Sequence, residues 1–401
     1  MNNLMKIAIV SPSAPPLNAG GVTSAHYNLF TILKNRGIKV KLFTFKDYQP
    51  LNSESEEVIR HGTPPIISRL ISLSSAILFR FLSGARLACE IKDIIQSAVG
   101  SLRLNIPLLR FQPDILVLPD HGAPGLYILR PKHCKTILIS HHNPARFLHE
   151  PLFRSGPDIQ IALRVEKRVL KKVDSVICPS FYMKEVFEKT FNFNGPVSVL
   201  PNMIDNRLIS SIVPFDILKV LALPHDAPVI YIPSAGSKLK GSQLVFEIIR
   251  RLVTFHGGKL GFYLSGNIEA DLKYELQFLP DNAKVYMPGH VSYFENIALV
   301  KSCSFGVSPT LIESFGMAIL EAMFCGIPMV TFDVGGNRDI VINGENGFMS
   351  TYLDIESLIG SAQKLLDRQL RDEIREQTIK SVRLRFDSDS LAERFIDLVC
   401  K

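Results

Sequence analysis

The sequence lacks close cysteine pairs, long uncharged apolar runs and a recognisable secretory signal. Its six cysteines are scattered through mostly apolar stretches, which favours reduced thiols over a disulfide framework or a metal site. The apolar run that follows Met1 is too short for a secretory signal, and no uncharged apolar stretch reaches the ~18 residues of a membrane-spanning helix. These absences predict a cytoplasmic protein.

The sequence also lacks the motifs of two other protein classes. No GxGxxG pattern follows the first predicted strand, which disfavours a dinucleotide-dependent oxidoreductase. Residues 1–205 hold 25 Lys and Arg against 15 Asp and Glu, whereas the rest of the chain holds 20 against 23. With no nucleic-acid motif and no interleaved basic and aromatic residues, this basic half predicts an anionic substrate or membrane surface and no nucleic acid.

Strand and helix patterns alternate along the chain. Residues 6–10 form a continuous apolar run typical of a buried parallel strand, and a helix at about 23–35 and a strand at 39–45 follow. The same pattern recurs at 229–254, and 401 residues are enough for two domains. We therefore predict an α/β protein with domains at 1–205 and 206–385 and a terminal helix within 386–401.

Residues 308–349 contain the most informative pattern, which is a strand, a loop that closes at Gly316 and a helix over 317–324. The first amide groups of such a helix are unpaired and carry partial positive charge, so they favour a phosphate ligand. Glu321 on this helix is an acceptor for paired sugar hydroxyls. The pattern indicates a nucleotide sugar, although a lone Glu is more often a solvated helix residue.

Glu313 and Glu321 flank a Ser-Phe-Gly sequence, and the pairs Gly335-Gly336 and Asn346-Gly347 follow. This segment closely resembles the donor-binding segment of retaining GT-B glycosyltransferases of family 4. The resemblance implies two Rossmann-like domains facing an interdomain cleft. It implies that the first domain is on the acceptor side, that the second binds the nucleotide sugar and that the terminal helix crosses back to the first domain. It also implies hexosyl transfer with retention from a UDP- or GDP-type donor, with no cofactor and no metal.

The resemblance also assigns roles to individual residues of this segment. It implies that Glu313 approaches the hydroxyls of the transferred sugar and that Glu321 binds the ribose. The donor-binding residues that it implies between them are Phe315, Gly316, Met317 and Ala318. Ser314 departs from the family pattern, which usually has Gly at this position.

Two further loops precede predicted helices. Gly20 and Gly21 leave the backbone open to a ligand, although a bare Gly-Gly pair is more often a turn. Lys240 before a helix start suits an anion. The resemblance implies that Gly20 and Gly21 lie against the donor phosphate and sugar and that Lys240 binds the diphosphate. Ala235 stands where the family usually has Arg, and Lys238 is a candidate substitute.

Adjacent histidines follow the predicted strand at 136–139. A side chain at the carboxyl end of a parallel strand faces the ligand crevice, but one structural and one solvated histidine is an equally good interpretation. The resemblance implies that His142 contacts the transferred sugar, with His141 as the fallback and His121 as a weaker candidate.

Residues 60–110 combine an apolar helical stripe with seven basic and two acidic residues. They form either helices packed on the first sheet or an amphipathic surface on an anionic membrane. The resemblance implies a glycan or lipid-linked acceptor, bacterial surface polysaccharide assembly and a peripheral position on the inner membrane face. A nucleotide-sugar epimerase and a non-catalytic binder remain alternatives. Asp387-Ser388-Asp389 resembles a metal-binding Asp-x-Asp motif, but we interpret it as a helix N-cap.

Overall fold

The computed structural model describes residues 5–16, 20–48, 57–82, 89–147 and 156–400, with side chains undescribed at 75–82, 89, 156 and 157. The chain divides into two units, one made of residues 1–204 and 388–401 and the other of residues 205–387. Part of the predicted apolar and basic stretch at 60–110, including Arg86 and Cys89, therefore lies outside the described side chains. Residues 17–19 of the loop before Gly20 also lie outside the described residues.

Unit 1 is built on a seven-stranded sheet whose adjacent strands are all parallel. Its strands are β1 (Lys6–Ser11), β2 (Lys39–Thr44), β3 (Val58–Arg60), β4 (Ile115–Pro119), β5 (Lys135–Ile139), β6 (Ser175–Cys178) and β7 (Val197–Val199). Their order is β3-β2-β1-β4-β5-β6-β7. The order reverses between β1 and β4, and ligands of doubly wound sheets bind beyond the carboxyl ends of the strands at such a point.

Helices connect these strands and cover the sheet, whose central side chains such as Ile7, Leu116 and Leu138 are at most 1% exposed. The helices are α1 (Gly21–Asn35), α2 (Pro65–Leu82), α3 (Cys89–Arg103), α4 (Asn105–Phe111), α5 (Gly156–Leu170) and α6 (Phe181–Thr190). The apolar runs of the inner strands are continuous because both faces of the sheet are covered.

The last helix of the chain belongs to unit 1. Helix α15 (Ser388–Cys400) packs on α1, where the Arg36 guanidinium donates to Asp389 at 3.1 Å and to Glu393 at 2.8 Å. Asp389 of the Asp-Ser-Asp sequence therefore lies in the first turn of α15, where it is paired with Arg36.

Unit 2 contains a second parallel sheet with the same kind of reversal. Its strands are β8 (Val229–Ile232), β9 (Leu260–Leu264), β10 (Ala283–Tyr286), β11 (Phe305–Ser308), β12 (Met329–Phe332) and β13 (Gly347–Ser350), in the order β10-β9-β8-β11-β12-β13. The order reverses between β8 and β11, so the loops after these two strands flank the crevice of this sheet.

The helices of unit 2 are α7 (Asn206–Ser211), α8 (Ile217–Val220), α9 (Ser242–His256), α10 (Ala270–Glu275), α11 (Tyr293–Lys301), α12 (Met317–Phe324), α13 (Ile355–Lys364) and α14 (Arg368–Arg385). The predicted helix at 317–324 is confirmed at both ends. Among the described residues, no helix combines the length and apolarity needed to cross a membrane.

Candidate active site

In unit 2, the loops after β8 and β11 bring two of the predicted site residues together. The Lys240 ammonium donates to Glu313 Oε2 at 2.5 Å, and the Leu311 amide donates to the Leu239 carbonyl at 3.0 Å. Gly241, at φ +81°, lets the two loops pack closely, because a Cβ there would lie 2.1 Å from the Pro309 carbonyl oxygen. A cation and a carboxylate thus lie together at the reversal point of this sheet.

Helix α12 begins directly beyond this pair. Gly316 is its N-cap, and its φ of +104° is a conformation that side-chain-bearing residues rarely adopt. Within the described part of the chain, no side chain caps this helix, so the amides of its first turn face outward from the helix end. Met317 and Ala318 are half-buried, whereas the Phe315 ring is 2% exposed and contacts Phe386. Phe315 is therefore a core side chain, so any contact of this residue with a nucleotide-sugar donor would come from its backbone.

A second glycine pair holds the loop that carries Glu313. A Cβ at Gly335 would lie 1.8 Å from the Glu313 carbonyl oxygen, and one at Gly336 would lie 2.3 Å from that of Ser314. The Gly336 amide donates to the Glu313 carbonyl at 3.2 Å. These close approaches explain why the sequence has two glycines here, and they fix the backbone that positions the Glu313 side chain.

Glu321 lies in the second turn of α12. Burial raises the pKa of its carboxyl to about 8. Burial and the charge of Glu321 both raise the pKa of Tyr293. This carboxyl group can accept hydrogen bonds from hydroxyl donors in either form, and its protonated form can also donate one.

The structure also places the residues that depart from the family pattern. Ala235 is fully buried, and its amide donates to the Ser265 carbonyl at 3.0 Å, so it contributes to packing between the β8 and β9 loops. Lys238 is exposed, two residues before Lys240 in a 3₁₀ turn. Lys238 forms no ion pair among the described contacts, whereas Lys240 is paired with Glu313.

In unit 1, Gly20 and Gly21 form the start of α1 after the β1 loop. Both are exposed, and no described atom lies within 4 Å of a Cβ built on either. Gly20 is the N-cap and has an extended backbone with φ −112°. The described neighbours therefore impose no steric need for glycine at either position. The space beside them is compatible with a ligand contact.

His142 lies at the carboxyl end of β5 and is held at both ring nitrogens. Its Nε2 lies 2.9 and 3.0 Å from the two carboxylate oxygens of Glu90, and its Nδ1 lies 3.3 Å from Arg146 Nη2. The side chains of His142 and Glu90 are 13% and 8% exposed. The His121 ring approaches edge-on, with 5.0 Å between the ring centroids. His142 is thus part of a cluster of polar and charged side chains beyond the carboxyl ends of the unit 1 strands.

His141 and His121 have different surroundings. His141 is buried, with its ring 5.0 Å from that of His26, and burial lowers the pKa of His141 well below its ordinary value. The Lys46 ammonium donates to Asp93 at 3.1 Å and lies 3.3 Å from His121 Nε2. Burial, together with the charge of Lys46, lowers the pKa of His121 to about 3. Both rings are therefore neutral near pH 7.

Family models match both units. A model described as glycosyl transferases group 1 matches residues 215–385, and one described as glycosyltransferase family 4 matches residues 19–208. The chain belongs to the group 1 glycosyl transferases. The two matched ranges contain the predicted site residues, among them Gly20, Gly21, His142, Lys240, Glu313 and Glu321.

This group 1 glycosyl transferase is similar to proteins from bacteria and archaea. It is 28% identical over 155 residues to the capsular polysaccharide biosynthesis glycosyltransferase CapM of Staphylococcus aureus, covering 37% of this chain and 40% of that protein. It is 23% identical to the uncharacterized glycosyltransferase MJ1178 of Methanocaldococcus jannaschii, covering 86% and 84%. The Anabaena HepE structure in complex with UDP-glucose has a TM-score of 0.70 at 17% identity, with 99% of each chain covered. The structural likeness shows the GT-B fold.

Several site residues were missed from the sequence. Asp120 follows β4, and its carboxylate accepts the backbone amides of His141, His142 and Asn143 at 2.8 to 3.2 Å. Its place after a buried strand was a usable signal. Glu90 is 52 positions from His142 and lies on α3, whereas His142 lies in the loop after β5. No local pattern links these two residues, so only the fold reveals their contact.

Proposed function

We propose that this protein is a metal-independent, retaining hexosyltransferase that moves a sugar from a UDP- or GDP-sugar to a glycan or lipid-linked acceptor. The observation that carries the proposal is the Lys240–Glu313 pair at 2.5 Å beside the uncapped start of α12. A cation and a helix N-terminus suit a diphosphate, and a carboxylate suits sugar hydroxyls. Unit 2 thus offers the groups that a nucleotide sugar requires.

The proposed roles follow from the charges. Lys240 and the amides at Met317 and Ala318 stabilise negative charge that develops on the leaving diphosphate, which is the largest electrostatic demand of the reaction. Glu321 binds the ribose, and Glu313 binds the transferred sugar. His142, with Gly20 and Gly21, contacts that sugar from unit 1. The leaving diphosphate helps to take the acceptor proton on the same face of the sugar.

The relatives support the donor class and the pathway. HepE was solved with UDP-glucose, and CapM is described as a capsular polysaccharide enzyme. We therefore expect a uridine nucleotide to be the first donor to test. We also expect a role in assembling a bacterial surface polysaccharide, at the cytoplasmic face of the membrane.

The exposed part of α2 supports a peripheral membrane contact. Ile66, Leu70 and Leu73 lie on one side of the helix and are 74%, 61% and 63% exposed. Arg69 on the same helix is also exposed. An apolar stripe with basic neighbours is typical of helices that lie on anionic bilayers. We propose that α2 brings the enzyme to a lipid-linked acceptor.

The proposal can be tested first by thermal unfolding with UDP, GDP, ADP and their sugar conjugates, each with and without EDTA. A specific ligand at a hundred times its Kd stabilises the folded state by about 2.7 kcal/mol. One preferred nucleotide, unaffected by EDTA, is the expected result. Transfer assays with that donor, with the anomeric configuration of the product read by NMR, then test retention.

Variants separate the proposed roles. We expect Glu321→Ala mainly to raise the donor KM and His142→Ala mainly to lower kcat. Glu373→Ala, an exposed change on α14, is the control. Interconversion of donors without an acceptor would instead identify an epimerase. Nucleotide binding with no turnover of any donor would identify a non-catalytic binder.

A further inference from the structure

The environment of His142 determines which ring nitrogen carries the proton. Both Glu90 oxygens lie within hydrogen-bond distance of Nε2, at 2.9 and 3.0 Å. An ionised carboxylate only accepts hydrogen bonds, so Nε2 is the donor. Arg146 Nη2, 3.3 Å from Nδ1, can only donate, so Nδ1 is the acceptor. The contacts on the two sides agree on a neutral ring with its proton on Nε2.

The contacts around the cluster hold this arrangement in place. Asp158 accepts the amides of Glu90 and Ile91 at 3.0 Å, which fixes the first turn of α3. Asp120 accepts the His142 amide at 2.8 Å. The Phe147 ring lies 5.6 Å from the His142 ring and carries the Arg146 guanidinium over its face at 4.6 Å. Glu90 is thus a buried group on an anchored helix turn.

The two ring contacts differ in strength. The contact at Nε2 is shorter and joins two side chains that are at most 13% exposed. The contact at Nδ1 is longer, at 3.3 Å. A sugar hydroxyl can replace Arg146 as a donor to Nδ1, whereas displacing Glu90 would break the shorter and more buried contact of the ring.

We propose that Glu90 is a positioning residue that fixes the Nε2–H tautomer of His142, so that Nδ1 is the atom that accepts a hydrogen bond from a hydroxyl of the bound sugar. This inference deepens the proposed function and rests on it for the sugar contact. The tautomer itself is a property of the free protein. The hydrogen bond that one ring nitrogen of a histidine makes commonly determines whether the other nitrogen is free to accept one.

The tautomer can be measured without any substrate. Long-range ¹H–¹⁵N spectra of protein labelled with ¹⁵N-histidine distinguish a protonated ring nitrogen from an unprotonated one, and the His142→Asn spectrum identifies the His142 signals. We expect the Nε2–H form in the wild type and in Glu90→Gln, whose amide oxygen still accepts. We expect the Nε2–H form to be less populated in Glu90→Leu, where only the longer Arg146 contact still favours it. An Nδ1–H ring in the wild type, or an unchanged ring in Glu90→Leu, would overturn the proposal.

Kinetics test whether the fixed ring matters for transfer. We expect Glu90→Leu to lower kcat by roughly 10- to 100-fold with the donor KM nearly unchanged, since small misplacements of a site group have effects of this size. Glu90→Gln should recover most of the loss. Nucleotide binding by unit 2 and the thermal midpoint report whether each variant is folded. Glu185→Leu, an exposed change on α6, is the matched control.

Side-chain replacements at His142 test which ring nitrogen accepts the hydrogen bond from the sugar. An Asn amide oxygen can occupy the place of Nδ1, whereas a Gln amide reaches the place of Nε2. We expect His142→Asn to retain more kcat than His142→Gln, and the reverse order would refute the Nδ1 assignment. If the wild type transfers no sugar from any donor, the proposed function fails, while the spectra still decide whether Glu90 fixes the ring.

Discussion

At the scale of single residues, the glycines of unit 2 show how backbone geometry serves the site. Gly335 has φ +53°, and a Cβ there would overlap the Glu313 carbonyl oxygen at 1.8 Å. Gly344 has φ +79°, but no described atom lies within 4 Å of the place that a Cβ would take there. The two positions share the left-handed conformation and differ in the close approach.

This difference gives a first prediction. Gly344→Ala should destabilise unit 2 by about 1 to 2 kcal/mol, the cost of a left-handed conformation with a Cβ. Gly335→Ala carries that cost and must also move the Glu313 backbone, which adds about 1 to 3 kcal/mol. Urea unfolding measures both, and UDP-induced stabilisation should fall only in Gly335→Ala. Equal losses at the two positions would show that the contact with the Glu313 loop is unimportant.

At the scale of elements, the loop between β1 and α1 is held by a buried ion pair. Arg60, the last residue of β3, donates to Asp47 at 2.6 Å and to the carbonyls of Ala14 and Pro15 at 2.9 and 2.6 Å. Asp47 also accepts from the Ser13 hydroxyl at 2.5 Å. The arginine and carboxylate side chains are 10% and 3% exposed. This network ties the start of the glycine loop to two neighbouring strands.

The second prediction concerns this pair. Asp47→Ala should destabilise unit 1 by about 3 to 5 kcal/mol, because it leaves the Arg60 charge buried without its partner. Glu57→Ala removes an exposed ion pair with Lys34, whose side chains are 46% and 48% exposed, and should cost at most about 1 kcal/mol. Denaturant unfolding monitored by a unit 1 probe compares the two variants. A small effect of Asp47→Ala would mean that the loop rearranges to satisfy Arg60.

The third prediction concerns the exposed stripe of α2. Leu70→Glu places a negative charge where we expect an anionic bilayer, so it should weaken sedimentation with phosphatidylglycerol vesicles several-fold without changing the thermal midpoint. Leu384→Glu is a matched control, because Leu384 is 81% exposed on α14 of unit 2. Wild-type protein should bind neutral phosphatidylcholine vesicles more weakly. No vesicle binding by the wild type would leave α2 without its proposed partner.

Sequence patterns located most elements because the buried strands are continuous apolar runs. The sequence predicts strands at 6–10 and 136–139, and the structure has them at Lys6–Ser11 and Lys135–Ile139. An end without a sharp signal shifted: the first helix is predicted to begin at about 23 and begins at Gly21.

The side-chain contacts of the site were harder to predict from the sequence than the helices and strands. The Lys240–Glu313 pair joins loops 73 positions apart, and the Glu90–His142 pair spans 52 positions. The resemblance to family 4 selected Lys240, Glu313 and His142, and their places after a strand or before a helix are compatible with that choice. Neither the resemblance nor these places revealed which side chains pair, since that depends on how the strands are ordered in each sheet. Glu90 lies within the first turn of a helix, where no local motif marks it.

At the scale of the whole molecule, two titratable groups, one in each unit, contribute opposite pH dependences to the stability. Burial lowers the pKa of His26 in unit 1 from 6.5 to about 4, and burial raises that of Glu321 in unit 2 from 4.5 to about 8. Neutral His26 stabilises unit 1 fully above pH 6.5, and this stability is lost as the pH falls towards 4. Protonated Glu321 stabilises unit 2 fully below pH 4.5, and this stability is lost as the pH rises through 8.

The fourth prediction follows from these signs. Glu321→Gln should flatten the alkaline limb of unit 2, so that its midpoint near pH 8 exceeds that of the wild type, by roughly 2 to 4 °C per kcal/mol recovered. His26→Gln should flatten the acid limb of unit 1 and leave the alkaline limb unchanged. Calorimetry from pH 4 to 9 resolves the two limbs if the units unfold separately. Because Glu321 is also the proposed ribose ligand, the stabilised Glu321→Gln variant should bind UDP more weakly than the wild type. Unchanged alkaline stability together with unchanged UDP binding would place the Glu321 carboxyl in water and away from the donor.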